Sequence, residues 1–193
     1  MGRRRETSEA RQRILQTADR LFYADGIRAV GIDRIIAEAA VAKMSLYKHF
    51  PSKDDLILAV LQHREASFQT DFEESMQKHT KKIKDPVKVF FAALKDWIET
   101  PTFRGCAFIN ASVELADCKH PAFAFARSHK QRFGEYLRQY VEQAVGKSAA
   151  AVAPAIGLLI EGAIVTAVIQ GDSSAVDVAR EAAEKLLAAT KKL

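Results

Sequence analysis

Ile14, Leu15, Ala18, Leu21 and Phe22 recur at spacings of three and four, which lays one apolar face along a helix ending at Asp25-Gly26. A short second pattern, Ile32, Ile35, Ile36 and Ala39, gives way within Ala40-Val41-Ala42 to a third helix from Lys43 to Phe50 that Pro51 terminates. Ser52 then opens a fourth helix with capping-box spacing to Asp55, and Leu56, Ile57, Val60, Leu61, Phe68 and Phe72 carry it for five or more turns. The lysine-rich stretch 78–84 interrupts the pattern. Asp85-Pro86 suits an N-cap and first position for a fifth helix (Phe90, Phe91, Leu94, Trp97, Ile98), which Thr100-Pro101 closes. A sixth helix is expected over Cys106–Leu115 and a seventh over Phe123–Val145, with Gly146 as its C-cap. Ala149–Gln170 and Ser174–Thr190 complete nine. No strand alternation or internal repeat competes, so the expected fold class is all-α.

Composition agrees with that pattern: 48% of the 193 residues are hydrophobic, while Gly and Pro number only 9 and 5. There is enough apolar material for a sizeable core and little turn material for a β-sandwich. Two cysteines, Cys106 and Cys118, suit a reducing compartment. The basic start Arg3-Arg4-Arg5 runs into polar residues with no apolar core of a secretory signal, so a cytoplasmic location is expected.

Charge divides the chain. Residues 1–53 hold eleven Lys and Arg against six Asp and Glu, whereas residues 54–193 hold eighteen of each. A basic head on a neutral body points to a polyanion partner for residues 1–53 and a separate role for 54–193.

Helices two and three have the lengths and turn spacing of a helix-turn-helix, an arrangement that many helical proteins share. On the second of them, Val41, Leu46 and Phe50 would face inward while Lys43, Met44, Ser45, Tyr47 and Lys48 point out, a set suited to a DNA major groove. Lysines neutralise phosphate or donate to guanine, serine reaches base edges or phosphate, and a phenol donates to phosphate. Lys53, in the first turn of helix four, is a candidate phosphate clamp. Arg34 on helix two is counted with this DNA-binding set.

The run from Gly26 to Leu56, and above all Leu46-Tyr47-x-His49-Phe50-x-Ser52-Lys53-x-x-Leu56, resembles the DNA-binding domain of the tetracycline-repressor (TetR) family. The resemblance covers roughly residues 10 to 60. It implies a homodimeric transcriptional regulator, usually a repressor, whose C-terminal domain binds a small molecule that weakens operator binding. It places Lys43 and Ser45 at bases, and Tyr47, His49 and Lys53 on the DNA backbone; His49 serves equally well as a cap for helix three. Two departures stand out. Ala40 occupies the turn position where the family usually has glycine, at a cost of about 1 kcal/mol if positive φ is required. Gly31 replaces the usual Thr or Ser cap of helix two, at a cost of a few tenths of a kcal/mol.

The second domain concentrates aromatic residues, most of which serve as ordinary core. The candidate effector-lining set is Trp97, Phe108, Asn110, Glu114, His129 and Phe133, which implies a largely apolar effector oriented by Asn110 and Glu114. Ala151–Gly171 is mostly apolar, but Glu161 near its middle argues against a membrane span. Ile156, Ile160, Ala163, Ile164 and Ala167, with Ala179, Ala183 and Leu186 on the last helix, form a candidate dimer interface of four-helix-bundle type; the alternative is that both helices complete the chain's own core. No HExxH, GxSxG, P-loop or dinucleotide-binding glycine pattern is present, and no cofactor, metal site or catalytic residue is expected. A sequence-indifferent architectural DNA binder and, more remotely, a helical small-molecule enzyme are the rival functions.

Overall fold

The computed structural model describes residues 2–146 and 151–190, with side chains from residue 9 onward. Among the described residues there are nine α-helices and no strand: α1 (Gly2–Asp25), α2 (Ile32–Ala39), α3 (Lys43–His49), α4 (Lys53–Thr80), α5 (Pro86–Ile98), α6 (Ala107–Leu115), α7 (Pro121–Val145), α8 (Ala153–Gln170) and α9 (Ser174–Thr190). The expected start of helix eight, at Ala149 and Ala150, lies outside the described residues.

Local chemistry explains the boundaries. Ser52 Oγ accepts the Asp55 N–H at 3.0 Å and donates to Asp55 Oδ2 at 2.6 Å, so serine caps α4 rather than entering it. Asp85 Oδ1 accepts from the amides of Val87 and Lys88, with Pro86 at the first position of α5. His120 Nδ1 accepts the Ala122 N–H at 3.1 Å, which lets α7 begin at Pro121, two residues earlier than the apolar pattern indicates. Ala40 does take the left-handed conformation, φ 51° and ψ 53°, and its N–H closes α2 on the Ala37 carbonyl at 3.2 Å. The turn therefore retains the strain that a glycine would relieve.

Packing divides the chain into two compact units. The first joins residues up to Ser67 with Ala107–Ser128; the second joins Phe68–Cys106 with the residues from His129 onward. In the first, Ile14, Ala18, Leu21, Val30, Ile35, Leu46 and Leu56 form a fully buried core shared by α1 to α4. Arg64 reaches Asp19 Oδ2 at 3.2 Å and stacks 3.7 Å from the Tyr23 ring, fastening α4 to α1. In the second, Phe90, Phe91 and Leu94 of α5 are buried, as are Leu137 and Val141 of α7, Ile156 and Ile160 of α8 and Ala183 of α9. Lys95 Nζ on Asp177 Oδ2 at 2.5 Å and Ser173 Oγ on Glu99 Oε1 at 2.7 Å tie α5 to the start of α9.

α8 is the one helix among the described residues with the length and apolar composition to cross a membrane. Its Ile156, Ile160 and Ile164 edge is buried in the second unit, and Glu161 pairs with Lys130 of α7 at 2.6 Å.

Candidate nucleic-acid interface

The seven residues of α3 divide by exposure as the helix geometry dictates. Leu46 is fully buried and Phe50, just past the end, nearly so, which fixes the helix on the core. Lys43, Met44, Tyr47 and Lys48 are exposed, and Ser45 and His49 half-buried. Met44, Tyr47 and Lys48 stand at i, i+3 and i+4, so they share one outward face. Lys43 makes only a long contact, 3.4 Å to the exposed Asp33, and remains available to an anion.

Arg11 of α1, absent from the expected set, belongs beside it. Its guanidinium lies 5.2 Å from the centre of the Phe50 ring. Burial, then the Lys48 and Arg11 charges, hold the His49 imidazole below its ordinary value, so His49 is neutral at pH 7 in a cationic surrounding. The sequence signal for Arg11 is slight: a basic residue in register with Leu15 and Ala18, one turn before the apolar face of α1 begins.

Two expected DNA contacts are engaged elsewhere. Lys53 Nζ donates to the Ile27 carbonyl at 2.6 Å and lies 5.8 Å from the Phe22 ring; the site is half-buried, and desolvation pushes the ammonium down. In the free chain Lys53 thus braces the α1–α2 loop, because that carbonyl lies within reach of the first turn of α4. Arg34 pairs with Asp25 at 2.7 Å and with Glu38 at 2.8 Å, and Glu38 is also bonded by Arg20. Its charge is spent on holding α2 to the end of α1.

Glu114 departs furthest from expectation. Its Oε2 accepts the backbone N–H of Arg28 at 3.1 Å, and Arg28 Nη2 returns a bond to the Leu115 carbonyl at 3.3 Å. A Cβ on Gly26, where φ is +92°, would lie 2.9 Å from Glu114 Oε2, so glycine serves both the conformation and the approach. Glu114 thus fastens α6 to the α1–α2 loop, which Lys53 braces from α4. His120 Nε2 at the start of α7 lies 3.3 Å from Asp54 Oδ1 without a hydrogen bond to it.

The remaining effector candidates separate by unit. Phe108 packs against Phe125 at 6.4 Å in the first unit, where Asn110 is half-buried. In the second, Trp97, His129 and Phe133 gather around Phe68, at 5.2, 6.4 and 6.4 Å between ring centres. The Tyr136 and Tyr140 hydroxyls meet at 3.1 Å beside Phe90, and burial, then that bond, raise the Tyr136 phenol. Lys130 lies beside both Phe133 and the buried Cys106.

The eight expected interface residues divide by burial within the single chain. Ile156, Ile160, Ala163, Ile164, Ala167, Ala179 and Ala183 are buried by the chain itself, where α8 and α9 pair; Leu186 alone is exposed. An exposed apolar row lies on the opposite side of α8, Leu158, Gly162, Val165 and Ile169 at spacings of four, three and four, and Val178 and Leu186 of α9 are exposed as well.

A helix-turn-helix on a basic head, joined to a neutral helical bundle, defines a bacterial-type DNA-binding regulator. The model for bacterial regulatory proteins of the tetR family matches residues 14–60, and that for the tetracyclin repressor-like C-terminal domain matches residues 84–183. The chain belongs to the TetR family. The structure of SCO4454, a TetR-family transcriptional regulator from Streptomyces coelicolor, is 33% identical with a TM-score of 0.83, covering 95% of this chain and 97% of that one. The Escherichia coli transcriptional repressor NemR is 24% identical over 56% of this chain and 55% of its own length. The Mycolicibacterium smegmatis transcriptional activator FasR is 34% identical over 51% of this chain and 44% of its own. The matched stretches thus span about half the length of these two curated relatives.

Proposed function

We propose that this chain is a cytoplasmic, homodimeric transcriptional repressor that binds a palindromic DNA operator through α3 and is released by a largely apolar small molecule. The observation that carries the reading is the division of α3: Leu46 and Phe50 lock it to the core while Lys43, Met44, Tyr47 and Lys48 face solvent beside Arg11. Residues 1–53 are the DNA-reading part and residues 54–193 the effector and dimerisation part, although α6 is fastened to the head. Lys43 and Ser45 reach bases; Tyr47, Lys48, His49 and Arg11 hold phosphates. A dimer is part of the mechanism, since two α3 helices must meet major-groove faces about 34 to 36 Å apart. The exposed row from Leu158 to Ile169, with Val178 and Leu186, supplies the apolar surface for it.

The aromatic group around Phe68 supports an apolar effector, and α4 and α7 each contribute to both units. Release needs only about 1 to 3 kcal/mol of preference for a non-binding arrangement, a 5- to 150-fold loss of affinity. Selection of bound duplexes from random DNA by the purified protein tests the proposal. An inverted repeat should emerge; retention of all sequences alike would instead mark an architectural DNA binder.

A further inference from the structure

We propose that Met44 is a specificity-determining residue that reads the 5-methyl group of a thymine in the major groove. The inference rests on the DNA-binding reading above and names what that surface recognises. Met44 is 81% exposed, the most exposed of the large apolar side chains among the described residues, while Leu46 two positions later is fully buried. Packing therefore gives no account of an apolar residue at position 44. Its surroundings are those of an anion-facing surface: Lys43 precedes it, Tyr47 and Lys48 share its face, and α3 contains no acidic residue.

A thioether has no donor and only a weak acceptor, so it cannot read guanine or adenine by hydrogen bonding. The apolar group that a base pair presents in the major groove is the thymine methyl. Methionine, unbranched and polarisable, adapts its contact to such a small target, while Lys43, Tyr47 and Lys48 fix the helix on the polar atoms around it. Contact with sugar atoms alone, or a side chain that stays in water, would give no dependence on that methyl.

The test uses the full chain and the duplex selected from random DNA, with each thymine of the half-site replaced in turn by 2′-deoxyuridine. That change removes the methyl and keeps every hydrogen-bonding group. Burial of one methyl corresponds to about fourfold in affinity, so one position replaced in both half-sites should weaken wild type about fifteenfold. Met44→Ala should bind the thymine and uracil duplexes equally, and Met44→Leu, still apolar, should retain the discrimination. The exposed side chain makes unchanged melting temperatures the expectation for both variants. The proposal is overturned if no uracil position weakens wild type more than twofold, or if Met44→Ala loses as much as wild type does. Failure to select any duplex would sink the DNA-binding reading and this proposal with it, a result distinct from a selected site that ignores the methyl.

Discussion

Two leucine-sized side chains on opposite sides of α8 should respond to truncation in opposite ways. Leu158 is 75% exposed in the single chain, and Ile160 is fully buried. Leu158→Ala removes three carbons at about 0.8 kcal/mol each, so three-quarters burial against a partner is worth about 1.8 kcal/mol per copy. A symmetric interface counts the change twice, about 3.6 kcal/mol, which weakens the dimer about 400-fold. The same variant should leave the fold of each chain intact, since Leu158 contributes little to that core. Ile160→Ala instead opens a cavity and should lower folding stability by about 2 to 5 kcal/mol, with a much smaller effect on dimer affinity. Sedimentation velocity over a dilution series gives the first quantity; urea melts at one fixed protein concentration give the second. A dimer constant within threefold of wild type for Leu158→Ala would refute the assignment of the outer face. So would Ile160→Ala chains that dissociate without losing stability.

Lys53→Ala should destabilise the head by about 1.5 to 3 kcal/mol through loss of the charged bond to Ile27 while leaving the salt dependence of DNA binding nearly unchanged; a slope lower by about one unit at unchanged melting temperature would restore the phosphate clamp. Glu114→Ala should speed amide exchange at Arg28 by about fivefold, from loss of roughly 1 kcal/mol of hydrogen bonding, and an unaltered rate would show that the α6 contact does not hold the loop. DNA affinity should strengthen as pH falls from neutrality. Burial, Lys48 and Arg11 depress the His49 imidazole in the free protein, a nearby phosphate raises it, and binding then takes up a proton. His49→Gln should flatten that dependence, and a wild-type affinity that weakens on acidification would contradict the phosphate contact.

Features set by neighbours in sequence were legible in the chain. Ser52 with Asp55 and Asp85 with Pro86 each follow from residues within a few positions of one another, whereas the left-handed turn at Ala40 is implied only by the family resemblance. Features set by distant partners were not. Glu114 finds Arg28 across 86 positions and Lys53 finds Ile27 across 26, and no helical spacing announces either bond. α8 failed to show its orientation for a different reason: it is apolar on both sides, so Ile156, Ile160 and Ile164 mark a stripe as clearly as Leu158, Val165 and Ile169 do. Periodicity finds both stripes; the pairing of α8 with α9 assigns one of them to the chain's own core and leaves the other exposed.

The spacing of two protected half-sites on a selected duplex, read by footprinting at single-nucleotide resolution, tests the central claim most directly. Two symmetric patches of major-groove protection centred about 34 to 36 Å apart are expected, each losing its base preference in Lys43→Ala and weakening in Lys48→Ala. Uniform protection along the duplex, or a site that binds the Lys43→Ala and Lys48→Ala chains as well as wild type, would contradict recognition by paired α3 helices.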